Sequence, residues 1–183
     1  MIKPEIPHRS YTEIRRLADR FREKYWSKKN MPLDIELIAE RDLEISIDVR
    51  RDLNALFDIR GFLNLKENII FIDEYFFEKN EEFSRFTIAH EIGHKELHSS
   101  IYERAKITTI EEYHKFSSSL SEEEYQRFED QANIFAGCLL VPTEILVAQY
   151  NRILKNRGSM IELIKYFKVS KTVLGRRIKK EIL

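Results

Sequence analysis

Apolar residues recur at spacings of three and four almost from the start of the chain. In SYTEIRRLADRFREKYWS (10–27), Ile14, Leu17, Phe21 and Tyr25 fall on one face behind Ser10, a good N-cap, which predicts an amphipathic helix. The next stretch predicts a short helix from Leu33 to Glu40, running into a strand from Leu43 to Val49 in which Ile45 and Ile47 alternate with Ser46 and Asp48. Phe62–Leu65 and Ile69–Ile72, joined by the polar Lys66, Glu67 and Asn68, predict a hairpin. After about residue 80 the period becomes helical, except for a polar stretch at 99–121 that reads as an irregular loop, suited to a lid or a substrate-binding segment. The pattern predicts an α+β fold with a small antiparallel sheet in its first third.

Two later segments carry clear helix boundaries. Asn80 can cap a helix whose first turn holds Glu81 and Glu82 and whose buried stripe includes Phe83, Phe86 and Leu97. In SLSEEEYQRFEDQANIFAGCLLVP, Ser121 and Glu124 form a capping box and Pro142 ends the helix. Its apolar stripe comprises Tyr125, Phe128, Ala132, Phe135, Ala136 and Leu139. Beyond residue 150 the chain reads as helix, turn, helix: Ser159 and Glu162 form a second capping box, and Ser170 caps the last segment. This suggests a main domain over 1–150 and a helical C-terminal extension over 151–183.

Charge sharpens that division. The formal net charge is zero, yet Asn151–Leu183 holds ten Lys and Arg against two acids, so the remainder is acidic. A basic, helix-turn-helix-like tail with Lys171, Arg176, Arg177, Lys179 and Lys180 on or near its last helix suits phosphate contact, hence DNA. It equally suits a terminal hairpin packed on the body with its lysines in solvent. The N-terminal MIKPEIPHRS has no apolar signal-peptide core, and no apolar run approaches the roughly 18–20 residues a bilayer requires. Cys138 is the single cysteine. The expectation is a cytoplasmic protein without membrane contact, with Cys138 a core residue of its apolar helix.

The chemistry concentrates in FTIAHEIGHKELH (86–98), which holds three of the five histidines. Residues four apart on a helix differ by only about 40° around its axis, so His90 and His94 project from one face and can share an ion. Glu91 lies about 60° from His94, beside that face. This is the H-E-x-x-H arrangement of two imidazole ligands and a general base. Zinc at such a site uses three protein ligands, polarises a scissile carbonyl and brings the pKa of a bound water to about 7. A mid-helix glycine costs about 1 kcal/mol relative to alanine, so Gly93 points to close approach by another element.

The third ligand is less direct. His98 lies about 80° around the helix from His90 and two turns along, which suits support of a ligand, or a structural role, better than shared coordination. On the later helix Glu129 sits at the edge of the apolar stripe, where a carboxylate can meet a metal held by a neighbouring helix, while Asp130 points away. Glu124, another acid, or a salt bridge without metal remain alternatives for that place. His114, Tyr113 and Tyr125 are candidates for oxyanion stabilisation or simply polar residues. The Phe62–Ile72 hairpin offers an edge strand for pairing with an extended substrate.

The segments RFTIAHEIGHKELH and, some thirty residues later, EDQANIFAGCLLVP closely resemble the ImmA/IrrE family of zinc metallopeptidase-like proteins. PLDIELIAE, the strand and the glycine-led hairpin extend the resemblance over most of the chain; Val141 stands where methionine is common before the proline. The resemblance implies a zincin-like fold, one zinc held by His90, His94 and Glu129, and Glu91 as general base. It also implies a cytoplasmic peptidase that cleaves a helix-turn-helix transcriptional repressor at a specific site. The competing expectation is a DNA- or protein-binding regulator with a structural or vestigial zinc.

Overall fold

The computed structural model of the chain describes residues 5–26, 30–156 and 158–183. Helix α1 (Tyr11–Tyr25) begins at Ser10, whose hydroxyl and Glu13 close a capping box, and it buries Ile14, Ala18 and Phe21. Helix α2 (Ile35–Leu37) starts on the Asp34 cap and widens into a π-helical turn over Ile38–Asp42.

Three strands follow: β1 (Ser46–Arg50), β2 (Gly61–Asn64) and β3 (Ile69–Asp73), in the order β1-β3-β2. The predicted hairpin is present, with Gly61 opposite Ile72 and Asn64 opposite Ile69. The sheet is nevertheless mixed, not antiparallel, because β1 pairs with β3 in parallel. The short helix α3 (Leu53–Phe57) carries the chain over before β2 begins, and that crossover sets the parallel sense.

Helix α4 (Glu74–Lys79) leads into α5 (Glu81–Ala105), capped by Asn80 as expected. The 99–121 stretch is not an irregular loop: α5 continues to Ala105 and α6 spans Ile110–Ser119. Two features explain the difference. Ile101 and Tyr102 are both 1% exposed and extend the buried face of α5, and Thr109 with Glu112 forms a capping box that starts α6. Helix α6 buries Tyr113 and Phe116 against Phe62 and Phe128, so it is held to the body by aromatic packing.

Helix α7 (Glu122–Leu140) runs from the Ser121–Glu124 capping box to Val141-Pro142. It crosses α5 at Gly93, where an added Cβ would lie 3.1 Å from the Ala132 carbonyl oxygen and 3.2 Å from the Phe135 ring. Larger side chains at that crossing would hold the helices apart, so Gly93 sets the spacing of the two helices that carry the predicted ligands.

Helices α8 (Thr143–Lys155), α9 (Met160–Phe167) and α10 (Lys171–Glu181) complete the chain. Residue 150 lies within α8. Leu163, Phe167, Val169, Leu174 and Ile178 belong to the same hydrophobic cluster as Ile14, Ala136 and Leu139. No single helix among the described residues is long and apolar enough to cross a membrane.

Candidate metal centre

The α5–α7 crossing brings the predicted ligands together. His90 and His94 point their Nε2 atoms at each other, 3.0 Å apart. Glu129 reaches across from α7, with Oε2 3.3 Å from His90 Nε2 and Oε1 3.6 Å from His94 Nε2. Zinc bonded at about 2.0–2.1 Å to tetrahedral donors separates those donors by about 3.3 Å, so this set fits the ion without rearrangement of the helices. The three residues are placed to bind a metal. Access is restricted: the His94 side chain is 1% exposed, that of His90 14% and that of Glu129 21%.

The candidate ligands are themselves held. His90 Nδ1 donates to Asn133 Oδ1 at 3.0 Å, which leaves Nε2 with a free lone pair. On His94 the same requirement puts the proton on Nδ1, which donates to His98 Nδ1 at 3.0 Å. His98 must then carry its proton on Nε2, 3.0 Å from Gln131 Oε1, and the Gln131 amide donates to the Pro7 carbonyl at 2.7 Å. Every donor meets an acceptor only if His98 is neutral. Burial, followed by the neighbouring His94, pushes the His98 pKa down to about 3, consistent with that tautomer. Tyr113 donates to Glu129 Oε1 at 3.1 Å and fixes the carboxylate from the α6 side.

Electrostatics follow the same geometry. Burial alone would lower the His90 pKa, but the hydrogen bond and charge of Glu129 outweigh it and raise it to about 9. Burial would raise the Glu129 carboxyl, yet the bonds from His90 and His94 hold it well below the usual range. His94 is pushed down, first by burial and then by the charge of His90. Without metal these opposite shifts favour a proton on His90 Nε2 facing Glu129; a divalent cation takes the place of that proton and leaves Nε2 its lone pair.

Glu91 lies beside the ligands on the sheet side and is 4% exposed. Burial raises its pKa to about 7, opposed by the charge of His90 and by a hydrogen bond from the Leu63 backbone. The approach of β2 is close: a Cβ on Gly61 would stand 3.0 Å from Glu91 Oε1 and 2.5 Å from the Thr87 methyl. Glycine is therefore required for β2 to lie this near the carboxylate.

Glu124 caps α7, accepting from the Ser121 amide at 2.8 Å. Cys138 is buried, as expected. His114 is exposed and faces Phe57, not the centre. Tyr125 is 38% exposed, whereas Tyr113 reaches a ligand. The β2 edge is covered: Phe62, Leu63 and Asn64 are 1%, 0% and 4% exposed, so an extended substrate does not pair with it in this structure. Asn133 and Gln131 were not singled out from sequence. Asn133 lies one turn after Glu129 on the same face, a spacing that marks it as a partner for the neighbouring ligand.

Residues 34–179 match the family model described as the IrrE N-terminal-like domain, Peptidase M78. Among solved structures, a Mycobacterium tuberculosis transcriptional regulator shares the fold, with a TM-score of 0.57 at 18% identity over 91% of this chain and 46% of that one. The present chain therefore spans about half the length of that structure. No curated protein sequence matches it significantly.

Proposed function

The chain belongs to the IrrE N-terminal-like family of M78 peptidases, matched over residues 34–179, and on that premise we propose that it is a zinc-dependent endopeptidase. The observation that carries this reading is the convergence of His90 Nε2, His94 Nε2 and the Glu129 carboxylate beside a buried fourth group, Glu91. When bound, zinc supplies Lewis acidity toward a carbonyl oxygen and toward water. His90, His94 and Glu129 hold the ion. Asn133 and the His98–Gln131 pair keep both rings in the tautomer that presents Nε2. Glu91 takes the proton of the attacking water and delivers it to the leaving amine. Burial raises the pKa of this carboxyl, which favours both taking up and giving back a proton.

The substrate in this reading is a helix-turn-helix transcriptional repressor, and the setting is the cytoplasm. The family resemblance supports this choice, as does the shared fold with a protein called a transcriptional regulator. Zinc-loaded protein mixed with helix-turn-helix repressors from the same genome is expected to convert one of them into two fragments, seen as intact masses. Repressors that all remain whole, with and without a chelator, would refute it.

A second reading, a DNA- or protein-binding regulator with a structural zinc, is favoured by the exposed Lys171, Arg176, Lys179 and Lys180 of α10. It predicts DNA binding that weakens steeply with salt and with loss of Arg176. Arg177 belongs outside that prediction because its side chain is turned into the body, 5% exposed.

The tautomer relay gives a separate expectation. His98→Ala should lower zinc affinity by about 10–100-fold, the usual cost of losing a ligand's hydrogen-bond partner. Competition against a chromophoric chelator measures it. An unchanged affinity would mean that packing against Phe128 and Tyr102 orients His94 without His98.

A further inference from the structure

The row of residues that carries the metal donors does not end at them. On α5, Phe86 precedes His90 by one turn on the same face, and on α7 Asn133 and Gly137 follow Glu129 at successive turns. Phe86, Asn133 and Gly137 line a cavity of about 360 Å³, bounded on its other side by Val173, Arg176 and Lys180 of α10. Asn133 belongs to both places, since its side chain lines the cavity and accepts from His90. The cavity therefore adjoins the candidate metal centre through Asn133, which stands behind the His90 ring.

Its chemistry is specific. Phe86, Ile134 and Val173 form an apolar wall, and Gly137 contributes no side chain. Arg176 and Lys180, one turn apart on α10, are both exposed and form no ion pair among the described residues. Arg177, which also lines the cavity, is neutralised by Glu181 at 2.9 Å. Asp130 sits at the rim, bonded to the Gln126 amide at 2.8 Å. Arg176 and Lys180, the latter with Nζ 4.8 Å from the centroid of the lining Tyr11 ring, against one acid leave a positive surplus over an apolar floor.

We propose that this cavity is a substrate subsite that receives an acidic side chain of the polypeptide, its methylenes against Phe86 and Ile134 and its carboxylate between Arg176 and Lys180. The identity of the occupant rests on the peptidase reading. A carboxylate paired with two cations in a partly enclosed site favours an acid over its amide by about tenfold or more.

The test uses the full chain carrying Glu91→Gln, loaded with zinc, immobilised and exposed to a random hexapeptide library, with retained peptides sequenced by mass spectrometry. The expected result is about tenfold enrichment of Glu or Asp at one position. That enrichment should be lost on adding Arg176→Glu with Lys180→Glu. It should survive Lys171→Glu with Lys179→Glu, which changes the charge of α10 equally away from the cavity. Retention without acidic enrichment, enrichment indifferent to the first pair, equal loss with the second pair, or no retained peptide at all would overturn the subsite. Incubating the retained peptides with the unmodified zinc-loaded protein separates the two claims. Acidic peptides that bind but are never cut would sink the peptidase reading and leave the subsite standing, whereas cleavage without acidic preference would do the reverse.

Discussion

Glu91→Gln is expected to lower kcat/KM for peptide hydrolysis by about 10²–10⁴-fold while zinc content and thermal stability stay near those of the parent. The substitution changes one oxygen to an amide nitrogen in a site where shape is tightly set. Gly61 lies so close that an added Cβ would be 3.0 Å from Glu91 Oε1, and the Leu63 backbone hydrogen-bonds the carboxyl. Glutamine keeps an acceptor for Leu63 and nearly the same volume, so β2 has no reason to move. Among the described residues it removes the acid beside the candidate ligands that is left to accept a proton: both histidines turn Nε2 toward the candidate metal position, and Glu129 is held by Tyr113 and the two rings. Zinc by mass spectrometry and initial rates on the same preparation make the measurement. Undiminished turnover in Glu91→Gln would transfer the base to another group and return the regulator reading to first place. Zinc lost together with activity would instead mean that Glu91 helps to hold the metal.

How much of this arrangement could be seen in the sequence depends on range. His90, Glu91 and His94 are legible because helical geometry alone places residues four apart on one face. Gly93 announces a close neighbour, and the crossing with α7 at Ala132 and Phe135 is that neighbour. Glu129 could be narrowed by its place at the edge of a stripe, but only the crossing point decides between it and other acids. The relay through His98 needs both Gln131 on α7 and the Pro7 carbonyl ahead of α1, and no local pattern encodes a contact spanning 124 positions. The parallel pairing of β1 was hidden for a similar reason, since period-two alternation gives strands without their partners. The 99–121 segment differs: its Thr109–Glu112 capping box was present in the sequence and the polar composition around it obscured the signal.

Adjacent arginines on α10 should separate by several kcal/mol in stability, and this contrast decides what the C-terminal segment is for. Arg177 Nε donates to the Val141 carbonyl at 3.0 Å, Nη2 to Thr143 Oγ1 at 2.9 Å, and Nη1 to Glu181 Oε1 at 2.9 Å and to the Tyr11 hydroxyl. Glu181 also receives Tyr11 and, at 3.1 Å, Arg15. One guanidinium thereby ties α10 to α1, to the end of α7 and to the start of α8. Arg177→Ala strips the buried Val141 carbonyl of that donor and leaves Glu181, 5% exposed, with less compensation. The expected cost is about 3–5 kcal/mol. At about 2–4 °C per kcal/mol for a chain of this size, the unfolding midpoint of the metal-free protein should fall by about 6–20 °C. Arg176→Ala, at an exposed position, should stay within about 0.5 kcal/mol of the parent. Arg177→Lys should recover only part of the loss, because a single ammonium cannot serve acceptors arranged around a planar fork. Near-equal midpoints for the two alanine variants would mean that Leu174 and Ile178 alone seat α10, leaving its basic face free to reorient toward DNA. The expected gap instead means that Arg177 holds α10 against α1, α7 and α8, with Arg176 and Lys180 kept on the cavity beside it.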